Sequence, residues 1–253
     1  EAWNPVSGET LIESFENNEE NTRVYETGIL GPAINPTWAK KNNTAAANSD
    51  TTSTDGRLGL GTNGTGDDMH ILSSSVINDG STYKMWYMGS DSTNWRIYHA
   101  TSSDGLTWTK YNNTAEAASN TTGTQGRIPL GSSGGDTASV FVSNILKDGS
   151  TYKMWYSGSD ATNYRIYYAT SSDGLTWTKV DNSIPSASDS TSTNGRIPLG
   201  TAATADDAYT YGPSVVKEGS IYKMWFNMHD GANVQVGYAT SFDGLNWRKY
   251  HNA

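Results

Sequence analysis

The sequence predicts an all-β protein, a β-propeller built from four-stranded antiparallel blades, and three observations support this prediction. A long unit repeats, with copies that begin at Tyr83, Tyr152 and Tyr222. Each copy contains short apolar runs separated by Gly-containing turns, which is typical of strands joined by hairpins. No copy carries apolar residues at helical spacing, which excludes a helical solenoid of the same period. A β-sandwich would also use short strands, but it has no reason to repeat them at this period.

Four strands are predicted in the first complete unit. Asp-Gly dipeptides at residues 79–80 and 104–105 supply tight turns between them. The second strand carries Tyr87 on one face and Trp86 on the other, so we expect it to be buried on both sides. The four strands are placed at residues 70–77, 83–88, 95–101 and 106–111.

A connector rich in Asn, Thr, Ser and Gly precedes each copy, and it is longer than usual for a compact domain. Its recurrence in every unit indicates that it packs in a defined way. Each connector ends in GRLGLG or GRIPLG. We expect the arginines of these segments to bond backbone carbonyls or an acid there. They are Arg57, Arg127 and Arg196.

We interpret residues 1–253 as one propeller domain in which residues 1–41 form a degenerate N-terminal blade. Four blades are favoured, because a five-bladed ring would need strands that the sequence does not reveal. A third interpretation is an open arc, or a ring completed by two chains, which would expose apolar blade faces and self-associate. The repeat units span about residues 42–111, 112–180 and 181–250. The strands expected in the N-terminal blade are residues 9–15, 22–30 and 35–41.

The composition excludes several function classes. The formal net charge is −9 and no Lys/Arg cluster is present, which argues against nucleic acid and anionic membranes as partners. No apolar run approaches the length of about 20 residues that a membrane span needs, so we expect no membrane insertion. The absence of cysteine excludes disulfides, thiolate catalysis and cysteine-based zinc sites. Because the chain begins at Glu1, we expect a processed product that is secreted or displayed at the cell surface.

The string YKMWYSG…RIYYATSSDGLTW, which begins at Tyr152, resembles the blades of the furanosidase-like β-propellers. This clan contains arabinanases, β-xylosidases, invertases, levansucrases and mannoside phosphorylases. The SxDGxxW turn, as at Ser102 to Trp108, is also similar to a shortened sialidase Asp box. The resemblance covers the three repeats, most of residues 56–250, and it implies a funnel on the propeller axis.

The resemblance also implies acidic residues at the starts of the innermost strands. The matching positions are Asp67, Asp136 and Asp206, each 16 residues before the YKMW tyrosine. Glycoside cleavage needs two carboxylates of different pKa, and acids that converge on one axis would raise one pKa by repulsion. However, the three aspartates stand in the same context, as a repeated structural feature would. No repeat offers a glutamate there, and Glu13 or Glu16 could replace it only if the N-terminal segment lines the funnel.

Residues near the strand starts are candidates for ligand contacts. Sugars present C–H faces that stack on aromatic rings and hydroxyls that bind polar side chains. Aromatic residues that vary between units suit this role, whereas Trp86, Trp155 and Trp225 recur and are expected in the blade core. Packing or a polar blade edge is the alternative role for each candidate. The candidates are Asp68, His70, Trp95, Tyr164, Asp207, Tyr209, Tyr211 and His229.

The sequence therefore favours a glycan-binding or structural propeller that is related to glycosidases and has glycans or polysaccharide as its partner. The alternative is a furanosidase-like glycoside hydrolase that uses the axial aspartates as general base and pKa modulator. No HExxH or other metal-binding spacing is present, and no cofactor is required. One Ca²⁺ on the propeller axis fits the abundance of Asp, Asn and backbone oxygen ligands.

Overall fold

The computed structural model of the chain describes residues 44–250, except for the side chains of residues 142 and 143, and the backbone of residues 22–24 and 30–32. The chain divides into two compact units, Glu1–Asn43 and Thr44–Ala253. The regular structure of the described residues consists of strands, so none of them forms a helix that could span a membrane. The predicted all-β class is confirmed.

The described part of the N-terminal unit is one antiparallel strand pair. It consists of β1 (Thr22–Val24) and β2 (Leu30–Pro32). The single strand expected over residues 22–30 is therefore wrong, because the chain reverses direction between the two paired segments. The strands expected at residues 9–15 and 35–41 lie outside the described residues, and the fourth blade stays a prediction.

Each repeat of the larger unit folds into an antiparallel sheet, and the strand order is the same in all three. The first repeat contains β3 (Thr52–Ser53), β4 (His70–Asp79), β5 (Thr82–Ser90), β6 (Trp95–Ser102) and β7 (Trp108–Lys110). The second contains β8 (Thr122–Gly123), β9 (Ser139–Asp148), β10 (Thr151–Ser159), β11 (Tyr164–Ser171) and β12 (Trp177–Lys179). The third contains β13 (Thr191–Ser192), β14 (Tyr209–Glu218), β15 (Ile221–His229), β16 (Val234–Ser241) and β17 (Trp247–Tyr250).

The strand order of the first blade is β4-β5-β6-β7-β3, and the other two blades follow it strand for strand. The four strands predicted for the first blade all form, with every end within two residues of its expected position. The two-residue strand at the outer edge was missed, because a segment of two residues within a polar connector has no readable periodicity.

The first long strand of each blade lies at the centre of the array. Strands β4, β9 and β14 are neighbours in space, and a single parallel bridge from Trp95 to Ser139 links the first two sheets. Radial sheets whose first strands meet at the centre are the arrangement of a β-propeller. The starts of these strands, among them His70 of β4 and Tyr209 of β14, therefore face a common central region.

Tryptophan side chains fill the spaces between successive blades. Trp86 is fully buried and meets Trp177 of the next blade edge-on, with ring centroids 5.7 Å apart. Trp155 meets Trp247 in the same way at 5.9 Å. The expectation of a blade-core role is confirmed for these two, but Trp225 is 41% exposed. It differs because no repeat follows the third one among the described residues.

The connectors join neighbouring blades and hold their arginines by backbone contacts. Ile128 of the second connector bridges Ile97 of the first blade, while β8 of the same connector pairs with β12 of the second blade. Arg127 Nη1 donates to the carbonyl of Thr114 at 2.9 Å. The predicted structural role of the arginines is confirmed. Arg57 and Arg196 donate in the same way to Thr44 (2.6 Å) and Ser183 (3.2 Å).

The SxDGxxW turn is closed by side-chain hydrogen bonds to its own backbone. Asp104 Oδ1 accepts from the amides of Leu106 and Thr107 at 2.8 and 2.7 Å. These contacts lower the pKa of Asp104 to about 2, since they favour the ionised carboxylate. Gly105 takes a φ of 72°, a conformation that a side chain would strain. The turn thus needs this sequence locally, while its relation to the sialidase Asp box stays a prediction.

Candidate functional site

The three aspartates predicted as catalytic are fully buried, each within its own blade. Each forms an ion pair with the lysine at the end of the blade's fourth strand, at 2.6 to 2.7 Å. In the second blade, Asp136 also accepts from Tyr156 Oη at 3.1 Å and from Asn182 Nδ2 at 2.7 Å. The pairs are Asp67–Lys110, Asp136–Lys179 and Asp206–Lys249.

Burial is the largest influence on the pKa of the groups that bind Asp136 in the second blade. It lowers the pKa of Lys179, although the charge of Asp136 opposes this shift. Burial and then the charge of Asp136 hold the pKa of Tyr156 well above its usual value, so the phenol stays protonated and donates to the carboxylate.

This placement weighs against a catalytic role for Asp67, Asp136 and Asp206, which stays a prediction. A general acid or base has to come within hydrogen-bond distance of its substrate, directly or through one water. These carboxylates have no exposed surface, and the lysine ammonium is bound to the carboxylate oxygen that would have to accept a proton or contact a sugar. Their contacts are those of a buried ion pair within each blade.

A continuous series of aromatic rings crosses the three blades at the strand starts, and we call it the aromatic arc. Neighbouring rings have centroids between 5.0 and 6.4 Å apart, the range for aromatic pairs in contact. Five of its six members are predicted ligand residues that lie far apart in the sequence. In order along the arc they are His70, Trp95, Phe141, Tyr164, Tyr209 and His229.

The remaining member of the arc, Phe141, was missed by sequence reasoning. It occupies the third position of β9, where the third repeat has Tyr211 in β14. Aligning the two strands would have revealed it as another aromatic residue that varies between repeats. Both side chains are half-buried, and each lies within 6.4 Å of Tyr164 by ring centroid.

A cavity of about 530 Å³ lies along the arc. This volume falls within the range of small-molecule sites in proteins, roughly 300–1,000 Å³. All three blades contribute to its wall, so it forms only when the repeats assemble. The described residues that line it include aromatic and hydroxyl side chains but no carboxylate. They are Ser73, Phe141, Ser157, Tyr164, Tyr209, Tyr211, Gly212, His229 and Val234.

Hydrogen bonds hold in place the part of the cavity wall that the third blade contributes. Ser157 Oγ accepts from the amide of Gly212 at 2.9 Å, which ties the second blade to the third. His229 Nδ1 accepts from the amide of Gly231 at 2.8 Å, a contact that orients the ring. The ring of His229 lies against Tyr209 with centroids 5.0 Å apart. The aromatic wall is therefore pre-positioned.

Four predicted ligand residues are not among the residues that line the cavity: His70 and Trp95, which belong to the arc, and Asp68 and Asp207. Asp68 Oδ2 accepts from the amide of Gly64 at 2.7 Å, and Asp207 Oδ2 accepts from that of Ala203 at 2.8 Å. Both carboxylates close the turn that precedes the first long strand. Asp207 instead lines a separate hollow together with Asp230.

Metal binding has little support in the described part of the chain. Among residues 44–250, no three His, Asp or Glu side chains are grouped closely enough to hold an ion. Ca²⁺ on the axis stays a prediction that a measurement of bound metal has to test.

Comparison with known proteins gives a partial sequence match. The sequence matches no protein-family model. Over 112 residues it is 36% identical to the uncharacterized protein Rv1502 of Mycobacterium tuberculosis, and the match covers 42% of this chain and 32% of that protein. Uncharacterized protein MT1551 of a second strain gives the same values. The match thus spans about a third of these relatives' length.

Solved structures settle the fold. Zg3597, a family 117 glycoside hydrolase of the marine bacterium Zobellia galactanivorans, aligns with a TM-score of 0.55 at 18% identity, over 81% of this chain and 60% of that one. A putative glycoside hydrolase from Parabacteroides distasonis aligns at 0.51 and 17% identity, over 73% and 51%. The chain has the fold of the furanosidase-like propellers. At these identities the likeness concerns the fold alone, since one fold hosts many functions.

Proposed function

We propose that this protein binds glycans in the cavity along the aromatic arc. The observation that carries the proposal is the cavity wall, where Phe141, Tyr164, Tyr209 and Tyr211 converge from two blades. Half-buried rings present flat apolar faces at little cost in conformational entropy. Such faces complement the C–H faces of a sugar ring, while Ser157 and the tyrosine hydroxyls offer partners for its hydroxyl groups.

The length of the arc favours an extended ligand. The rings run from His70 in the first blade to His229 in the third, beyond the cavity itself. A single sugar would contact two or three rings, whereas an oligosaccharide could occupy successive positions. We therefore take a polysaccharide chain as the partner, with the cavity as its strongest subsite.

Binding without hydrolysis is favoured by the placement of the acids. Glycoside hydrolysis in most families needs a pair of carboxylates on either side of the scissile bond. The described residues that line the cavity include neither Asp nor Glu, and the three family-matched aspartates are buried in ion pairs. The similar solved structures are glycoside hydrolases, which supports a sugar ligand while leaving the chemistry to the site.

A polysaccharide ligand also favours a location outside the cell or on its surface. We include this location in the proposal because extended polysaccharides are met there. Fractionation of the source cells, with the protein detected by antibody, tests it. Detection only in the cytosol would contradict this part of the proposal.

The binding proposal is tested on a glycan array that includes β-linked plant and algal glycans, followed by calorimetry with the best oligosaccharide. Tyr209→Ala is expected to weaken binding at least about tenfold, because it removes the ring shared by Tyr164 and His229. Phe242→Ala is the matched control, since this aromatic side chain is 80% exposed and does not line the cavity. It should bind like the unmodified protein.

Two results would overturn the proposal. One is silence of the unmodified protein across the array, and the other is equal affinity of the Tyr209→Ala variant. Release of reducing sugar from arabino-, xylo- or fructo-oligosaccharides by the unmodified protein would replace binding alone with hydrolysis.

A further inference from the structure

The described array of blades ends in two faces that repeat the contacts made inside it. We call the open face of the third repeat the leading face and that of the first repeat the trailing face. The leading face consists of Val216, Glu218, Lys223, Trp225 and Val236. The trailing face consists of Leu58, Val76, Asn78, Tyr83 and Gly105.

The junction between the first two blades shows which contacts such faces make. Trp86 packs on Trp177, and Lys84 Nζ donates to Tyr152 Oη at 2.8 Å. Asp79 accepts from Tyr152 Oη and forms an ion pair with Lys84. The junction of the second and third blades repeats each contact one unit later. Its partners are Trp155 with Trp247, Lys153 with Tyr222, and Asp148 with Tyr222 and Lys153.

The leading face carries the same residues without their partners from a next blade. Trp225 is 41% exposed, whereas Trp86 and Trp155 are fully buried in the junctions. Val236 is 67% exposed, whereas Ile97 at the same position is fully buried, since it bridges the connector of the next repeat. The exposure therefore falls on the positions that a following blade covers.

The trailing face is the complementary half. Val76 is 46% exposed, whereas Ile145 and Val215 at the same position of later blades are buried against the preceding blade. Tyr83 stands where Tyr152 and Tyr222 donate to the acid of the preceding blade. Leu58 likewise stands where Ile128 and Ile197 bridge the preceding blade.

The polar groups of the two faces also match. On the leading face, Glu218 forms an ion pair with Lys223, as Asp79 does with Lys84. A tyrosine placed like Tyr83 would donate to this acid and accept from the lysine. The trailing face departs at one position, where Asn78 replaces the lysine of later repeats with a neutral donor.

We infer that the leading face binds the trailing face of a second copy of this chain. Residues 1–43 contain no YKMW, complete SxDGxxW or GRxxLG segment; they offer a counterpart of the junction tryptophan at Trp38, but not the YKMW tyrosine and lysine or the GRxxLG aliphatic residue that each internal junction also uses. The first repeat of another copy carries all of them. The contact is heterologous, and it generates a closed ring if the rotation closes or a longer array if it does not.

Sedimentation velocity of the full chain tests this, at about 0.15 M salt because a net charge of −9 opposes association at low ionic strength. The unmodified 27.3 kDa chain is expected to sediment as a dimer or larger species. Val236→Lys and Val76→Lys should each shift it to a monomer, while their equal mixture should form a dimer through the one intact pair of faces. Both side chains are exposed, so neither substitution should unfold the chain.

Ile184→Lys is the matched control, an exposed aliphatic residue in the third connector that belongs to neither face. It should associate like the unmodified chain. If the unmodified chain stays monomeric at high micromolar concentration, the inference is overturned. That result is expected if residues 1–43 or another segment cover the two faces. Association that survives either lysine substitution would overturn it too. Glycan binding is read out separately, so this inference and the proposed function can fail independently.

Discussion

Replacing the buried His99 with tyrosine should remove a large part of the protein's sensitivity to acid. His99 is fully buried between Trp86, at 5.0 Å by ring centroid, and Tyr111, at 5.9 Å. Burial, and to a smaller extent the charge of Lys84, lowers the pKa of His99 from 6.5 to about 3. The second repeat has Tyr168 at the same position, stacked on Trp155 at 5.2 Å, so the site accepts a tyrosine.

The size of the expected change in the free energy of unfolding follows from proton linkage. The unfolded chain binds a proton at His99 near pH 6.5, whereas the folded chain does so only near pH 3. The neutral ring therefore makes its full contribution to the free energy of unfolding above pH 6.5. This contribution is lost progressively as the pH falls toward 3, at about 1.4 kcal/mol per pH unit. At pH 4.5, two units below the unfolded value, the loss amounts to about 3 kcal/mol.

Urea unfolding followed by tryptophan fluorescence at pH 7 and pH 4.5 measures this. Between the two pH values, the free energy of unfolding of His99→Tyr should fall by about 3 kcal/mol less than that of the unmodified protein, because tyrosine stays neutral throughout. Tyr168→His is the reverse control and should make the decrease steeper. Other titrating groups cancel in the comparison. Equal pH dependence in His99→Tyr and the unmodified protein would refute the reasoning.

Two further substitutions probe the buried ion pairs. Asp136→Asn should lower the free energy of unfolding by about 3–5 kcal/mol, because it leaves the buried ammonium of Lys179 without its counter-charge. A loss below about 1 kcal/mol in urea unfolding would show that the pair is not as buried as described. Phe226→Tyr should raise stability by about 1 kcal/mol, since its hydroxyl would reach Asp206 as Tyr156 reaches Asp136. Calorimetry that finds a lower melting temperature would contradict it.

Repetition made the blades predictable. The apolar runs and Asp-Gly turns recur at one period, so a strand that is hard to locate in one copy can be located from the other two. The connectors were harder, because β8 pairs with β12, a strand more than 50 residues later, through a contact of only two residues. Nothing in a two-residue polar segment marks such a partner.

The candidate site was predicted in its members but not in its arrangement. Trp95, Tyr164 and Tyr209 were identified because they vary between repeats. His70 and His229 were identified by their positions, and all five meet in the aromatic arc. The burial of the aspartates was not predicted, because sequence position indicates where a strand begins and not whether its side chains reach solvent. The recurring lysine at positions 110, 179 and 249 was the available signal for an ion pair.

The sequence by itself determined the all-β class, the repeat and the strands within it, because these depend on local turn chemistry and on a pattern that is written three times. Tertiary structure alone decided the burial and the contacts of each polar and aromatic group. Pairing of the fourth strand brings Lys179 onto Asp136 and closes that carboxylate to solvent, while radial packing brings rings from three blades into one wall. Burial and proximity between distant residues arise from packing, and packing is not local.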